Sequence, residues 1–228
     1  MNGTIKSYYC DPKIDRQSMI DTRMAGKNSS DTDDEQQQEL LLLSNDNHYQ
    51  DTNNQTFPWN NVRLPRFIRP IHYDIFMKPD IDTLINEGNV SIQLLLTEQS
   101  EFLIIHVKKL NITTISLYDD DNNETVINIR KHSECIKLEQ LYIEFDRILM
   151  ANHKYRLEIG FIRIIEDQLE GFYVSSYFNE QLQQKRRLLT THFEPTLART
   201  AFPCFDEPAM KGKKNIFLKF SFSTFVSF

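Results

Sequence analysis

The residues best able to do chemistry lie between Thr190 and Pro208, in the run T-T-H-F-E-P-T-L-A-R-T-A-F-P-C-F-D-E-P. Glu194 stands before a proline and a short run of helical character, and Arg199, Asp206 and Glu207 follow among aromatic residues and prolines. A carboxylate in a pocket pairs with an ammonium ion, and the pairing strengthens as water is excluded. Recognition of a free peptide N-terminus needs such an anion at a fixed distance from the scissile bond. Taken alone, Glu194 reads more simply as an exposed glutamate at a strand end; its surroundings favour the pocket carboxylate. Asp206 and Glu207 are adjacent in an extended segment and point to opposite sides, which makes them a poor acid/base couple. A guanidinium bridges chain segments by bidentate pairing, so Arg199, Asp206 and Glu207 read as structural.

Other catalytic devices do not assemble. A zinc peptidase helix needs two histidines four residues apart with a glutamate beside the first. The six histidines are His48, His72, His106, His132, His153 and His192; none precedes a glutamate and no two are four apart. No metal site is expected in this chain. His106 lies in an apolar run and reads as a core histidine. The six glycines form neither a phosphate loop nor a nucleophile elbow. Cys10, Cys135 and Cys204 form no framework, and Cys204 reads as a small buried apolar residue.

The elements that must hold these residues are strands. Val90, Ile92, Leu94 and Leu96 recur at every second position among Ser91, Gln93 and Thr97, and Tyr155, Leu157, Ile159 and Phe161 alternate with Arg156, Glu158 and Gly160. Phe102 to Val107 is a continuous apolar run, which predicts a strand buried on both faces. Ile115 and Leu117 alternate ahead of a polar turn from Asp119 to Asn123, and Ile127 and Ile129 belong to the next strand. Ile136, Leu138, Leu141, Ile143 and Phe145 read as one long strand or two with a slip. Phe172, Val174 and Ser176 begin another after Gly171. The prolines between Arg63 and Asp74 impose extended backbone. One short helix is expected from about Thr196 to Ala201, with Pro195 at its start. Roughly eight to ten strands read as an all-β fold, a sandwich or saddle of twisted antiparallel and mixed sheets. Residues 1–56 are polar without period and read as a disordered tail, 57–215 as the β domain, and 216–228 as a divergent C-terminal end, of which Phe220 to Phe228 reads either as a final strand or as an unrelated tail.

A net charge of −6 argues against a nucleic-acid footprint. No apolar run reaches membrane-spanning length, and the N-terminus lacks the apolar core of a signal peptide; read literally, the chain stays in the cytosol. The Asn-x-Ser/Thr triplets at Asn2, Asn28, Asn54, Asn89, Asn111 and Asn123 point instead to a secreted context. Those in the tail suit chance in an Asn-rich stretch. Asn89, Asn111 and Asn123 are the glycosylation candidates, and Asn111 and Asn123 sit beside expected strand ends.

Three ordered blocks carry a resemblance. They are R-L-P-R-F-I-R-P-I-H-Y-D-I with K-P-D-I from Arg63, E-G-F-Y-V-S-S-Y from Glu170 to Tyr177, and the run ending at Pro208. From about Arg63 to Lys211 the chain resembles the N-terminal domain of zinc aminopeptidases of the aminopeptidase N and oxytocinase type. The resemblance implies that Glu194 holds the free α-amino group of a peptide substrate. It places His192 where the family usually has a glutamine, a second ligand of that group, and Leu197 in place of the usual aspartate; Arg199 is kept. Neutral imidazole accepts a hydrogen bond, whereas a protonated ring repels an ammonium. The family's H-E-x-x-H and G-x-M-E-N motifs do not occur in this sequence. The expectation is an N-terminal domain truncated before its catalytic domain, inactive by itself, with zinc belonging to the complete enzyme. Its implied partners are a peptide N-terminus and that catalytic domain, and its implied location is the plasma membrane or an extracellular ectodomain. A non-catalytic β-sandwich module that binds peptides or a full-length relative is the alternative, and whether this chain is an enzyme stays open.

Overall fold

The alternating runs become strands in a computed structural model that describes residues 49–122 and 124–219. In chain order they are β1 (Ile68–Asp80), β2 (Ile85–Leu96), β3 (Ser100–His106), β4 (Asn111–Asp119), β5 (Thr125–Ile127) and β6 (Ile129–Cys135). There follow β7 (Gln140–Leu149), β8 (His153–Ile164), β9 (Gly171–Asn179), β10 (Gln184–His192) and β11 (Lys213–Leu218). Six strands form one mixed sheet in the order β11-β1-β2-β8-β4-β5, in which only β11 runs parallel to its neighbour. β3, β7 and β6 form a three-stranded antiparallel sheet, and β9 with β10 a two-stranded ribbon. The fold is all-β with mixed and antiparallel sheets, as the alternation predicts.

Period-two patterning sets the register. Val90, Ile92 and Leu94 of β2 face Ile159, Leu157 and Tyr155 of β8, and all are buried. A slip of one residue would turn this whole set to solvent, so the pairing is strongly specified. Leu103 to His106 of β3 are buried in succession, as their unbroken apolar run requires. The inner faces of the six- and three-stranded sheets feed one continuous core.

Several boundaries differ from expectation for local reasons. Ile136 to Glu139 form the turn between β6 and β7, with Glu139 at φ 55° and Ile136 at 71% exposure, so the run there is two strands. Ile127 and Ile129 fall in different strands, because the chain crosses from one sheet to the other at Asn128. The short helix shrinks to a single 3-10 turn, Ala198–Thr200, where the Thr200 hydroxyl donates back to the Leu197 carbonyl at 2.8 Å. β10 and β11 carry no period-two apolar pattern, since both start on polar residues and bury no residue fully; Leu189 of β10 packs against the core from its edge. Residues 49–56 of the expected tail form a closed loop: Asp51 is buried, its Oδ1 accepts from the Asn53 and Gln55 amides at 2.8 and 2.9 Å, and Thr52 donates to the Glu134 carbonyl at 3.0 Å. The rest of that tail, with Asn2, Cys10, Asn28 and His48, lies outside the described residues, as do Asn123 and residues 220–228. Residues 216–218 belong to β11. No described helix is long and apolar enough to cross a membrane.

Candidate functional site

The segment that carries Glu194 leaves the β9–β10 ribbon and runs into the seam between the sheets. His192, the last residue of β10, pairs with Gly171, the first of β9. Gly171 has φ 64°, and a Cβ there would collide with the Thr200 hydroxyl and stand 2.8 Å from the Leu197 carbonyl. Glycine is what lets the ribbon press against the 3-10 turn. Phe193 packs edge-on to the buried Phe202, with centroids 5.9 Å apart at 89°. The Leu197 amide then donates to the Phe193 carbonyl at 2.9 Å. These two ties close a loop whose protruding residues are Glu194, Pro195 and Thr196, all exposed, with a cis bond between Glu194 and Pro195. The Glu194 carboxylate makes no hydrogen bond or ion pair with a described residue, and neither does the exposed ring of His192.

Past the loop, the side chains of Arg199, Asp206 and Glu207 are all engaged. The buried Arg199 donates through Nε to Asp206 Oδ2 at 3.2 Å, through Nη2 to the Asp206 carbonyl at 3.1 Å, and through Nη1 to Glu139 Oε2 at 3.1 Å. Its own carbonyl accepts from the Lys108 amide at 3.0 Å, and the Lys108 ammonium meets Glu139 Oε1 at 2.8 Å. Glu207 turns the other way: Oε1 accepts from the Leu64 amide at 2.7 Å, and Oε2 lies 3.7 Å from Arg63. Asp206 and Glu207 therefore do separate jobs on opposite sides of one extended segment.

Cys204 forms a two-bond bridge with His106 of β3, the amides donating at 3.0 and 3.2 Å. The Asp206 amide donates to His106 Nδ1 at 3.2 Å. Burial, with the guanidiniums of Arg199 and Arg63 nearby, pushes the His106 pKa down to about 3. The ring is neutral, as an acceptor nitrogen requires. The Phe205 amide donates to the hydroxyl of Tyr73 in β1 at 3.2 Å, and burial raises the pKa of that hydroxyl. Burial first, and the Asp206 charge second, raise that of the Cys204 thiol far above the usual thiol range, so Cys204 is no nucleophile. Residues 198–206 thus fasten the ribbon, β1 and β3 to one another.

The structure brings Arg199 and Asp206 into contact and leaves His192, at the end of β10, and Glu194, on the loop that follows, both exposed and two residues apart. Glu139 and Tyr73 complete the network. Neither had a local signal, because their partners are 60 and 132 residues away in sequence. Asn89 lies half-buried in β2, and Asn111 is exposed as the first residue of β4. Among the described residues, no group of three or more His, Cys, Asp or Glu side chains is placed to hold a metal ion.

Residues 69–227 match the family model of the Peptidase M1 N-terminal domain. Endoplasmic reticulum aminopeptidase 1 of Rattus norvegicus is 34% identical over 168 residues, which are 74% of this chain and 18% of that protein. Endoplasmic reticulum aminopeptidase 2 of Homo sapiens is 35% identical over 172 residues, 72% of this chain and 17% of that protein. Glutamyl aminopeptidase of Rattus norvegicus is 35% identical over 171 residues, 74% and 18% respectively. The chain spans less than a fifth of the length of these relatives.

Proposed function

We propose a function from one premise: the chain belongs to the Peptidase M1 N-terminal domain family. In a complete enzyme carrying this domain, Glu194 holds the α-ammonium of a peptide, and that enzyme removes residues from the peptide's N-terminus. The names of the relatives, all aminopeptidases, support the reaction class. The observation that carries the role of Glu194 is its exposed, unpaired carboxylate on a loop pinned at Phe193 and Leu197. A carboxylate already committed to the fold, such as that of Asp206, has no charge to offer a ligand. His192 is the second contact, a ring nitrogen accepting a hydrogen bond from the same ammonium. Arg199, Asp206 and Glu207 act through the fold, holding the loop in place.

An ion pair in open water is worth little. The anchor works when another surface covers the loop and lowers the local dielectric, and a catalytic domain is the partner for that role. Zinc, which the resemblance ties to the complete enzyme, finds no ligand set among the described residues. What this chain contributes is binding and orientation of the amine, and the described residues by themselves are expected to hydrolyse nothing. The words "endoplasmic reticulum" in the names of two relatives support a place in the secretory pathway.

The test is Glu194→Ala in a complete enzyme carrying this domain. A charge-assisted contact is worth roughly 1.5–3 kcal/mol, so kcat/KM on peptides with a free N-terminus falls about tenfold to hundredfold. The ammonium is present in ground and transition states alike, so KM rises, and kcat falls as well where the anchor sets the geometry of attack. An unchanged kcat/KM would return Glu194 to an ordinary surface residue.

A further inference from the structure

The outer face of the six-stranded sheet carries an acceptor motif beside an aromatic patch. Asn89, Val90 and Ser91 form an Asn-x-Ser triplet in the middle of β2. Val90 is buried in the core, so Asn89 and Ser91 share the outer face. Asn89 pairs with Phe76 of β1 on one side and with Gly160 of β8 on the other. Directly paired residues share a face, with Cβ atoms about 4.5–5.5 Å apart. Phe76 is stacked on Phe217 of β11, with centroids 4.7 Å apart at 11°, yet the two rings are 49% and 47% exposed. On the other flank, the hydroxyls of Thr113 and Thr114 stand 2.7 and 2.5 Å from where a Cβ on Gly160 would lie. In the next row, Lys78 and Glu87 form an ion pair at 3.3 Å. A groove of about 330 Å³ runs past Asn89 along these rings, at the small end of the roughly 300–1,000 Å³ that ligand sites occupy.

We propose that Asn89 is N-glycosylated and that its first N-acetylglucosamine lies in this groove against the Phe76–Phe217 stack. The inference rests on the secretory location proposed above. A pyranose has a face of C–H groups and a rim of hydroxyls. The former packs on an aromatic ring, while the rim is within reach of Lys78 and Glu87. A covered ring pair also removes an exposed apolar patch from the sheet. In the modification, Asn89 Nδ2 forms a bond to C1 of the sugar of a lipid-diphosphate-linked oligosaccharide. The C1–oxygen bond breaks, the lipid diphosphate leaves with the electron pair, and the amide proton passes to a base of the transferase. No redox change occurs. Ser91 supplies the hydroxyl that the acceptor motif requires.

The test is glycopeptide mass spectrometry on the protein purified from its own cells, with every sequon scored. Asn89 is expected to carry a glycan. A bare Asn89 beside a glycosylated Asn111 overturns this inference and leaves the location intact. Bare asparagines at every sequon overturn the location reading together with the inference. The placement of the sugar is tested on the full chain led into a secretory host. There, Asn89→Gln and Ser91→Ala each remove one glycan, and Ser91→Thr keeps it. Enzymatic deglycosylation lowers the thermal midpoint of wild type by a few degrees but leaves that of Phe76→Ala unchanged. Equal shifts in the two would overturn the contact with the rings.

Discussion

His192, at the end of β10, and Glu194, on the loop that follows, are both exposed, and neither side chain meets a described partner. Arg199 and Asp206, a few residues on, are buried or nearly so and share three hydrogen bonds with each other, besides the one from Arg199 to Glu139. Both regions belong to one short stretch of sequence, yet their polar groups face opposite tasks. A buried charge needs a permanent partner, because desolvation is costly without one. An exposed charge needs none and stays available for a ligand. The comparison therefore separates residues that hold the loop from residues that the loop presents.

The comparison breaks first if the buried half proves dispensable. Arg199→Ala leaves Asp206 without its cation and Glu139 with Lys108 alone, and removal of one partner from a buried pair costs about 3–5 kcal/mol. Urea unfolding of the full chain measures it, and a loss under about 1 kcal/mol contradicts the role.

Acid probes the same network through His106. Its pKa is about 3 when folded, against the ordinary 6.5. Above pH 6.5 the ring is neutral in both states and the network is at full strength. As pH falls through that value, the unfolded chain takes up a proton that the folded chain refuses. Stability is then lost toward pH 3 at up to about 1.4 kcal/mol per pH unit, or about 2–3 kcal/mol by pH 4.5. Asp80, Glu144 and Asp146 are held below the ordinary carboxylate range, so their contributions begin to fade only below about pH 4.5, under the interval from about pH 6 to 5 where His106 is read. His106→Gln is expected to flatten the slope between about pH 6 and 5. A wild-type profile that is already flat there would contradict the buried neutral ring.

Gly171→Ala tests the contact between the ribbon and the 3-10 turn. It forces a side chain into left-handed backbone and against Thr200, at a cost of about 1–3 kcal/mol. Ser at the same position should be no better tolerated, and a neutral effect would mean that the ribbon moves freely. The smallest effect on stability belongs to Glu194→Ala, within about 0.5 kcal/mol, as for a surface site with no partners. A large loss there would erase the contrast from its other side.

Much of this was legible in the sequence, for physical reasons that differ along the chain. β2 and β8 are central strands with one face in the core, so their alternation is clean. β10 and β11 are edge strands, and a strand exposed on both faces has no reason to alternate. The turn at Ile136 was hidden by its composition, because an exposed isoleucine in a turn looks like strand. The conjunction of Arg199 with Asp206 could be suspected from seven residues of spacing. That with Glu139 could not, since it exists only once β6 and β7 are folded. The exposure of Glu194 likewise depends on Phe193 turning inward onto Phe202, a choice between neighbours that composition does not reveal.

The amine-anchor role is tested most directly by a double-mutant cycle in a complete enzyme carrying this domain. One axis is Glu194→Ala, and the other replaces a competitive peptide inhibitor by its N-acetylated form, which has no ammonium. If Glu194 binds the ammonium, acetylation weakens binding to wild type much more than to the variant. The inhibition constants then give a coupling of about 1.5–3 kcal/mol. Equal losses on acetylation in wild type and variant, a coupling near zero, would contradict the account.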